Sequence, residues 1–320
     1  GYLTSDTVLD MTELPGRIAI IGGGYIAAEY GHFFSAMGSK VTIIGRNPRF
    51  IPEEEPEISA LAKREMSKSM DIITGHEVLK VRKNSRGKKE IIAGGGGKEI
   101  IIEADEILVA SGRGPNTDIR PEKGGIRTDS KGWIDVNEFF ETSQPNIWAF
   151  GDADGKYLFK HVANYESTVV FYNAIMNRKV KADYHAVPHA VFSYPEIAGV
   201  GMKENEAIEK YGEDGVLIGF EKYENTAKGE AMDATDYFTK VIFENGSNRI
   251  LGAHIIGPYA SILIHEVINL MYTQDRSAAP IIHGMHIHPA LSEVVQRACR
   301  SLMPVAHYHH VLGHMHLNQE

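Results

Sequence analysis

RIAIIGGGYIAAEYG at residues 17–31 joins a short apolar run, three glycines and a helix-like segment. This order is typical of a strand that turns into a helix whose N-terminus binds a pyrophosphate. Gly22 can make the tight turn out of the strand, and Gly24 lets the backbone approach the phosphate. The third position of the fingerprint is Ala27, which the fingerprint tolerates. The next apolar run, residues 41–44, follows roughly twenty residues later, where a βαβ unit places its second strand.

The residue that ends the second strand selects the nucleotide in such a unit. A carboxylate there accepts a hydrogen bond from the ribose 2′-hydroxyl of NAD, whereas a nearby arginine accommodates the 2′-phosphate of NADP. Here the position is Gly45, Arg46 and Arg49 follow it, and the first carboxylate is Glu53. The sequence therefore favours NADP(H) over NAD(H), and the alternative is that Arg46 and Arg49 are solvated loop charges.

Composition places the chain among ordinary globular proteins. Its 320 residues suggest two or three domains, and 43% of them are hydrophobic, with no apolar run near the length that spans a bilayer. The formal charge of −9 argues against a nucleic-acid partner. Cys299 is the only cysteine, and the first residues do not resemble a signal peptide. We therefore expect a cytoplasmic protein with no membrane partner and no intrachain disulfide.

Further elements follow from hydrophobic periodicity and turn residues. The GGGGK segment at residues 94–98 favours a hairpin turn over a P-loop, because no Ser or Thr follows Lys98. The last third alternates strands and helices in the manner of an α+β domain. Predicted strands are 18–21, 41–44, 71–74, 90–93, 99–103, 106–110, 146–150, 190–192, 216–220, 239–243 and 250–256, and predicted helices are 54–68, 203–211 and 261–271.

Two positions carry side chains suited to chemistry. Asp152 follows the predicted strand 146–150, where an aspartate can accept hydrogen bonds from the hydroxyls of a bound nucleotide, although a plain turn aspartate fits equally. If a helix begins after Pro289, Glu293 can reach back to His288, fix its tautomer and raise its basicity. The alternative for His288 is a surface histidine beside a helix cap.

Taken in chain order, seven segments resemble the flavin-dependent pyridine nucleotide–disulfide oxidoreductases, the family of dihydrolipoyl dehydrogenase, glutathione reductase, mycothione reductase and mercuric reductase. Seven segments in one order are more specific than any one of them. They are LTSD at 3–6, GGGYIAAE at 22–29, ASGRGPNT at 110–117, AFGDA at 149–153, YPEIAGVG at 194–201, ILGAHIIGP at 250–258 and HIHPALSE at 286–293.

The resemblance implies an α/β fold in three parts. Residues 1–111 are expected to form an NAD(P)H-binding Rossmann-like domain with an N-terminal linker. Residues 112–185 are expected to form the C-terminal portion of an FAD-binding domain, and residues 186–320 a C-terminal α+β dimerisation domain with a His-rich tail. The expected partner is a second copy of the chain.

The resemblance also implies roles for single residues. Tyr25 matches the gate that admits the nicotinamide ring onto the flavin, Glu29 lies near the carboxamide, and Asp152 contacts the flavin ribityl chain. His288 and Glu293 match the acid–base dyad, which in this family reaches across a dimer interface to the partner's dithiol. The implied cofactor-binding residues are Gly22, Gly24, Tyr25, Ile26, Glu29, Arg46, Arg49, Gly112, Asp152, and His161 and Ala163 of the KHVA segment around the isoalloxazine ring.

Departures from the family limit what this chain is expected to do. It contains neither the N-terminal glycine motif that holds the FAD diphosphate nor the redox cysteine pair, and Cys299 alone cannot form a dithiol–disulfide couple. We expect a fragment of a dihydrolipoyl dehydrogenase-like NAD(P)H:disulfide oxidoreductase, inactive alone and poor at retaining FAD, whose substrate is a small-molecule or protein-bound disulfide. The alternative is a catalytically inactive, nucleotide-binding dimeric module.

The C-terminal tail is rich in histidine. Imidazoles at such short spacings could bind Zn or Ni. A disordered polar terminus without a metal site is favoured, because no cysteine or carboxylate lies among the histidines. They are His307, His309, His310, His314 and His316.

Overall fold

The computed structural model describes residues 1–315, apart from the side chain of Thr117, as two compact units. Residues 1–111 and 188–315 belong to the first unit, and residues 112–187 form the second. The three domain boundaries expected from the sequence stay predictions. His316 of the His-rich tail lies outside the described residues.

A parallel sheet begins the first unit and confirms the Rossmann-like α/β fold. Its strand order is β3-β2-β1-β7, and every neighbouring pair is parallel. Ile18, Ala19 and Ile20 are all buried, as expected for a parallel sheet. In chain order the elements are β1 (Arg17–Ile21), α1 (Tyr25–Ala36), β2 (Lys40–Ile44), α2 (Pro56–Met66), β3 (Asp71–Ile73), β4 (Glu77–Lys83), β5 (Lys89–Gly95), β6 (Lys98–Ala104) and β7 (Glu106–Val109).

A second, antiparallel sheet is inserted before the last parallel strand. It consists of β4, β5 and β6, with β5 and β6 joined by the predicted hairpin turn. Gly96 and Gly97 make that turn with φ values of 58° and 76°, a conformation that glycine adopts without a steric penalty. Ile91 and Ala104 of this sheet share a buried cluster with Ala19 of β1, so the two sheets have a common core.

The second unit contains one long helix, α3 (Lys160–Ala174), and short 3₁₀ segments, one of them Gly151–Ala153. The predicted strand over residues 146–150 is wrong. Asn146 adopts a left-handed φ of 62°, and only an isolated bridge joins Trp148 to Glu141, so no ladder forms.

The C-terminal part of the first unit is the predicted α+β fold. Its antiparallel sheet has the order β13-β10-β11-β12-β9-β8, and helices α6 and α8 pack against it. The elements are β8 (Pro188–Val191), β9 (Ile197–Gly201), α4 (Glu204–Tyr211), β10 (Val216–Lys222), α5 (Ala227–Ala231), β11 (Phe238–Glu244), β12 (Ile250–Ile256), α6 (Ala260–Met271), α7 (Ala279–His283), α8 (Ser292–Arg300), β13 (Leu302–Pro304) and α9 (Val305–His314).

The preference for a disordered tail is wrong for residues 305–314, which form α9. The helix is ordered because Val305, Tyr308 and Leu312 recur at helical spacing and are buried. The many histidines of this segment make its composition polar, so the helical spacing of these three apolar residues was overlooked in the sequence. The other histidines of the described tail occupy the remaining faces of α9.

Buried charges join the Rossmann-like part to the C-terminal sheet. The segment EEEPE at 53–57 leads into α2, and its glutamates 54, 55 and 57 are buried. Glu57 Oε1 lies 2.6 Å from Lys240 Nζ on β11 and accepts a hydrogen bond from the Tyr308 hydroxyl at 2.7 Å. Glu54 Oε1 lies 2.7 Å from His189 Nε2 on β8. These contacts hold the start of α2 against the C-terminal sheet.

Candidate active site

The turn between β1 and α1 requires its first glycine. Gly22 has a φ of 134°, and a Cβ there would lie 2.2 Å from the carbonyl oxygen of Ala110. Gly24 is the N-cap of α1 and is open, with nothing within 4 Å of an added Cβ. The first turn of α1 carries no acidic side chain, so no carboxylate competes for the positive end of the helix. The turn suits an anion such as a pyrophosphate.

Three predicted nucleotide contacts lie on α1. Tyr25 and Ile26 are its first two residues, and both are half-buried. Glu29 follows one turn later, and its Oε1 accepts a hydrogen bond from the backbone N–H of Phe192 at 3.0 Å. That contact fixes the Glu29 side chain against the segment that follows β8.

Gly45 has a packing role beside its predicted part in nucleotide selection. A Cβ on Gly45 would lie 3.2 Å from the Cα of Gly23, tighter than an ordinary van der Waals contact. The glycine turn and the end of β2 therefore approach closely at this position. This close approach is a second reason why position 45 carries glycine and not the acidic residue typical of NAD-binding units. Arg46 and Arg49 are both exposed in the loop after β2 and are free to turn toward a ligand.

The second unit presents Asp152 next to a tightly held turn. Gly151 has a φ of 66°, and its N–H donates to Glu166 Oε2 at 2.6 Å. Asp152 Oδ2 lies 2.6 Å from Arg113 Nη2, and both side chains are about two-fifths exposed. The carboxylate of Asp152 can thus accept hydrogen bonds from hydroxyl groups. Gly112, with a φ of 140°, precedes Arg113 in an open turn.

His161 and Ala163 lie in the first turn of α3. The His161 ring is exposed and stacks on Phe159, with ring centroids 5.3 Å apart. Ala163 lies below the Gly151 turn, where a Cβ on Gly151 would come within 2.8 Å of the Ala163 methyl carbon. Small residues at both positions keep the turn close to the start of the helix.

Glu166 is a residue that the sequence reasoning missed. It is 1% exposed, and its second oxygen accepts the Tyr184 hydroxyl at 2.5 Å. Both carboxylate oxygens are therefore used to hold the backbone beside Asp152. The signal was present, since Val162, Glu166 and Val169 share one helical face and the two valines are buried.

His288 and Glu293 form the predicted pair. His288 Nδ1 lies 3.1 and 3.2 Å from the two carboxylate oxygens of Glu293, and the backbone N–H of Ala290 donates to Glu293 Oε2 at 3.1 Å. The helix starts at Ser292, later than directly after Pro289, and places Glu293 in its first turn. The hydrogen bond from His288, followed by that from Ala290, lowers the pKa of the Glu293 carboxyl below its usual range.

The dyad is open on its histidine side. The His288 side chain is 65% exposed, whereas that of Glu293 is 11% exposed. A carboxylate that accepts from Nδ1–H leaves the lone pair on Nε2, the usual orientation of a histidine base. Neighbouring apolar residues also face solvent, with Ile287 79% exposed and Met285 fully exposed. The pair can exchange a proton with a group brought to this surface.

Two family profiles match the chain. The family profile described as pyridine nucleotide-disulphide oxidoreductase matches residues 1–173. A second profile, for the dimerisation domain of these oxidoreductases, matches residues 187–299. The chain belongs to the pyridine nucleotide-disulphide oxidoreductase family.

Curated relatives fall in several branches of the family. A dihydrolipoyl dehydrogenase from Synechocystis sp. is 37% identical over 306 residues, which cover 92% of this chain and 64% of that protein. A mycothione reductase from Mycobacterium tuberculosis is 38% identical over 308 residues, which cover 94% of this chain and 65% of that protein. The chain thus spans a little less than two thirds of the length of these relatives.

The fold is shared with solved flavoprotein structures of the family. The Cu(II) complex of the HOCl-induced flavoprotein disulfide reductase RclA from Escherichia coli superposes with a TM-score of 0.85 at 27% identity, covering 94% of this chain and 67% of that one. No helix within residues 1–315 of the present chain is long and apolar enough to cross a membrane.

Proposed function

We propose that the protein works in a flavin-dependent NAD(P)H:disulfide oxidoreductase of the dihydrolipoyl dehydrogenase-like kind. In that reaction electrons pass from NAD(P)H to FAD, then to a cysteine pair, and finally to a small-molecule or protein-bound disulfide. The observation that carries the proposal is the hydrogen-bonded pair of His288 and Glu293, together with membership of the family.

The proposed task of the dyad is proton transfer at a thiol. A thiol must lose its proton before it attacks a disulfide, because the thiolate is the nucleophile. Nε2 of His288 accepts that proton, and Glu293 stabilises the imidazolium that results. The same nitrogen returns the proton to the thiolate that leaves. Glu293 therefore orients the base, and His288 is the group that meets the thiol.

The residues of the second unit fit a flavin at its ribityl chain. We infer that the Asp152 carboxylate accepts ribityl hydroxyls, while Gly112, His161 and Ala163 border the ring. Bound FAD supplies a two-electron carrier between nicotinamide and dithiol. Glu166 holds the backbone of Gly151 so that Asp152 keeps its position.

The nucleotide site is proposed on the β1–α1 turn. Gly22 and Gly24 leave room for the pyrophosphate at the N-terminus of α1. Arg46 and Arg49 bind the 2′-phosphate of NADPH through charge-assisted hydrogen bonds. On the first turns of α1, Tyr25 admits the nicotinamide ring, Ile26 lines its path, and Glu29 lies near the carboxamide.

A homodimer completes the proposal. The match to a dimerisation domain and the exposed apolar residues beside His288 support an interface at this surface. His288 of one protomer then serves the dithiol of its partner. Because this chain contains one cysteine, Cys299, whose burial raises its pKa to about 12, the dithiol is supplied from outside these 320 residues. The buried thiol also fits the reducing cytoplasm that we propose as its compartment.

The test is expression of the complete reading frame from its start codon. We expect a cysteine pair separated by four residues ahead of Gly1, a bound flavin, and NADPH-dependent reduction of a small aromatic disulfide such as Ellman's reagent. His288→Gln should lower kcat/KM for the disulfide by about 10²–10⁴-fold while NADPH still bleaches the flavin. A reading frame that starts at this chain, or that lacks the cysteine pair, would contradict the proposal.

One observation favours a second candidate, a nucleotide-binding dimer without redox activity. The single cysteine is buried and lies in α8, so these residues alone hold no dithiol. Visible absorption of the protein expressed from the complete reading frame separates the two functions, because a stoichiometric flavin band belongs to the oxidoreductase and its absence, with nucleotide binding retained, to the binding module.

A further inference from the structure

Helix α9 carries two chemically different faces. Val305, Tyr308 and Leu312 are buried, and the Tyr308 hydroxyl donates to Glu57. His310 and His314 are exposed. The buried face fixes the helix on the protein, so the two exposed imidazoles project from a rigid support, four residues apart on one surface.

The two rings are already close enough to share a ligand. Nε2 of His310 and Nε2 of His314 lie 3.3 Å apart, and the ring planes are nearly perpendicular at 89°. With the metal–nitrogen distance of about 2.0–2.1 Å usual for imidazole ligands, nitrogens at this separation subtend roughly 105–110° at the metal. That angle is close to tetrahedral, and a rotation of the rings about their side-chain bonds turns both Nε2 lone pairs toward the shared ion.

A hydrogen bond between the two Nε2 atoms accounts for their approach. It also organises both nitrogens on one side of the helix before binding, which lowers the ordering entropy that a ligand must overcome. His309 points elsewhere, since its Nε2 lies 2.7 Å from Glu204 Oε1. The pair of His310 and His314 is therefore separate from the buried charge cluster.

We propose that His310 and His314 form a bidentate surface site for a divalent transition-metal ion. Imidazole suits Cu²⁺, Ni²⁺ and Zn²⁺, and affinity for such a site follows the order in which Cu²⁺ exceeds Ni²⁺ and Zn²⁺. Within residues 1–315 no group of three or more His, Cys, Asp or Glu side chains is placed to hold a metal. Two protein ligands and solvent therefore complete the coordination.

Metal binding at this site stabilises the folded chain. An ion that binds the native helix and not the unfolded chain raises stability by mass action. Because α9 also carries Tyr308 and His309, the ion secures the turn that contacts Glu57 and Glu204. The site is independent of the proposed redox function, and neither histidine belongs to it.

The test is titration of the purified chain with CuCl₂, NiCl₂, ZnCl₂ and MgCl₂ by calorimetry. We expect the order Cu²⁺ above Ni²⁺ and Zn²⁺, and no binding of Mg²⁺. His310→Gln and His314→Gln should each weaken Cu²⁺ binding at this site at least about tenfold, because one of two ligands is lost. His283→Gln, an exposed histidine elsewhere, is the matched control and should bind like the wild type.

Two further measurements keep the outcome clear. Electron paramagnetic resonance of the wild-type Cu²⁺ complex should show at least two nitrogen ligands, a result that needs no variant. Metal-free unfolding midpoints of both variants should match the wild type, since the substituted side chains are exposed. Binding that survives both variants, or that is lost with His316→Gln and kept with His310→Gln, would overturn the proposal.

Discussion

The ammonium of Lys240 lies 2.6 Å from a carboxylate oxygen of Glu57, and the two side chains are 0% and 5% exposed. Glu204 and Glu55 lie 2.7 and 3.3 Å from the same ammonium. Burial alone would lower the pKa of Lys240, but the three carboxylates outweigh it and raise the pKa. The cation is thus charged, and it neutralises part of an acidic cluster that α2 and α4 present to the C-terminal sheet.

Replacing Lys240 by Met should destabilise the protein by about 3–5 kcal/mol, because the buried carboxylates lose their cation. Tyr308→Phe removes only the hydroxyl that donates to Glu57 and should have a smaller effect, about 1.5–3 kcal/mol. Urea unfolding measures the loss in the free energy of unfolding for each variant. Equal losses in the two variants would show that the cation has no special part in the cluster.

The pair of His189 and Glu54 should make stability depend on pH. Burial would lower the pKa of His189, but Glu54 outweighs it and raises the pKa. Burial would likewise raise the pKa of Glu54, but His189 outweighs it and lowers the pKa. Buried His254 lies near Glu54 with a lowered pKa, and Lys203 also faces the pair.

The directions of these two pKa shifts define the pH range in which the pair stabilises the fold. The Glu54 contribution is present above about pH 4.3 and is lost as pH falls through its lower folded pKa. The His189 contribution is complete below about pH 6.5 and is lost as pH rises through its higher folded pKa. Between these limits His189→Gln should reduce the free energy of unfolding most, and the difference should shrink at higher pH. His283→Gln should show no such trend in the same urea series.

NADPH should bind at least about tenfold more tightly than NADH, because a 2′-phosphate gains charge-assisted hydrogen bonds from Arg46 and Arg49. Arg46→Ala should remove most of the difference, whereas Arg86→Ala, in the exposed β4–β5 turn, should leave it unchanged. Calorimetry measures the dissociation constants of NADPH and NADH for the wild type and both variants. Equal affinities in the wild type would favour the packing explanation for Gly45.

The chain of 320 residues should purify colourless or nearly so. In the proposed flavin site Asp152 and the start of α3 address only the ribityl chain and ring, and these 320 residues hold no second strand–glycine–helix motif for the FAD diphosphate. The amount of flavin released on denaturation measures how much FAD the purified chain retains. A stoichiometric amount would show that the diphosphate contacts are dispensable.

The chain should be a homodimer that buries at least about 2,000 Å² in total. Ile287→Glu, next to His288, should raise the dimer dissociation constant at least about tenfold, because it buries a charge at the interface. Ile101→Glu, at an exposed position of β6, is the control. Light scattering at micromolar concentration measures the molar mass of the wild type and of both variants. A monomeric wild type would refute the predicted homodimer.

Short stretches of sequence were sufficient to predict the glycine turn before α1 and the contact between His288 and Glu293. Gly22 and Gly24 follow an apolar run, and turn geometry demands glycine within that short segment. His288 and Glu293 are five residues apart, so a helix start between them brings the side chains together. Such features depend on local backbone geometry, which sequence spacing specifies.

The buried charges were decided by tertiary structure alone. Lys240 and Glu57 are 183 residues apart, and Tyr308 and Glu57 are 251 apart. The spacing of charges in α2 does not distinguish a solvated glutamate from one, such as Glu57, that contacts a buried lysine distant in sequence. It also does not predict that Glu57 accepts a hydrogen bond from Tyr308 of the terminal helix. A charge is retained in the interior only where partners distant in sequence offset its lost hydration, and the fold alone brings those partners together.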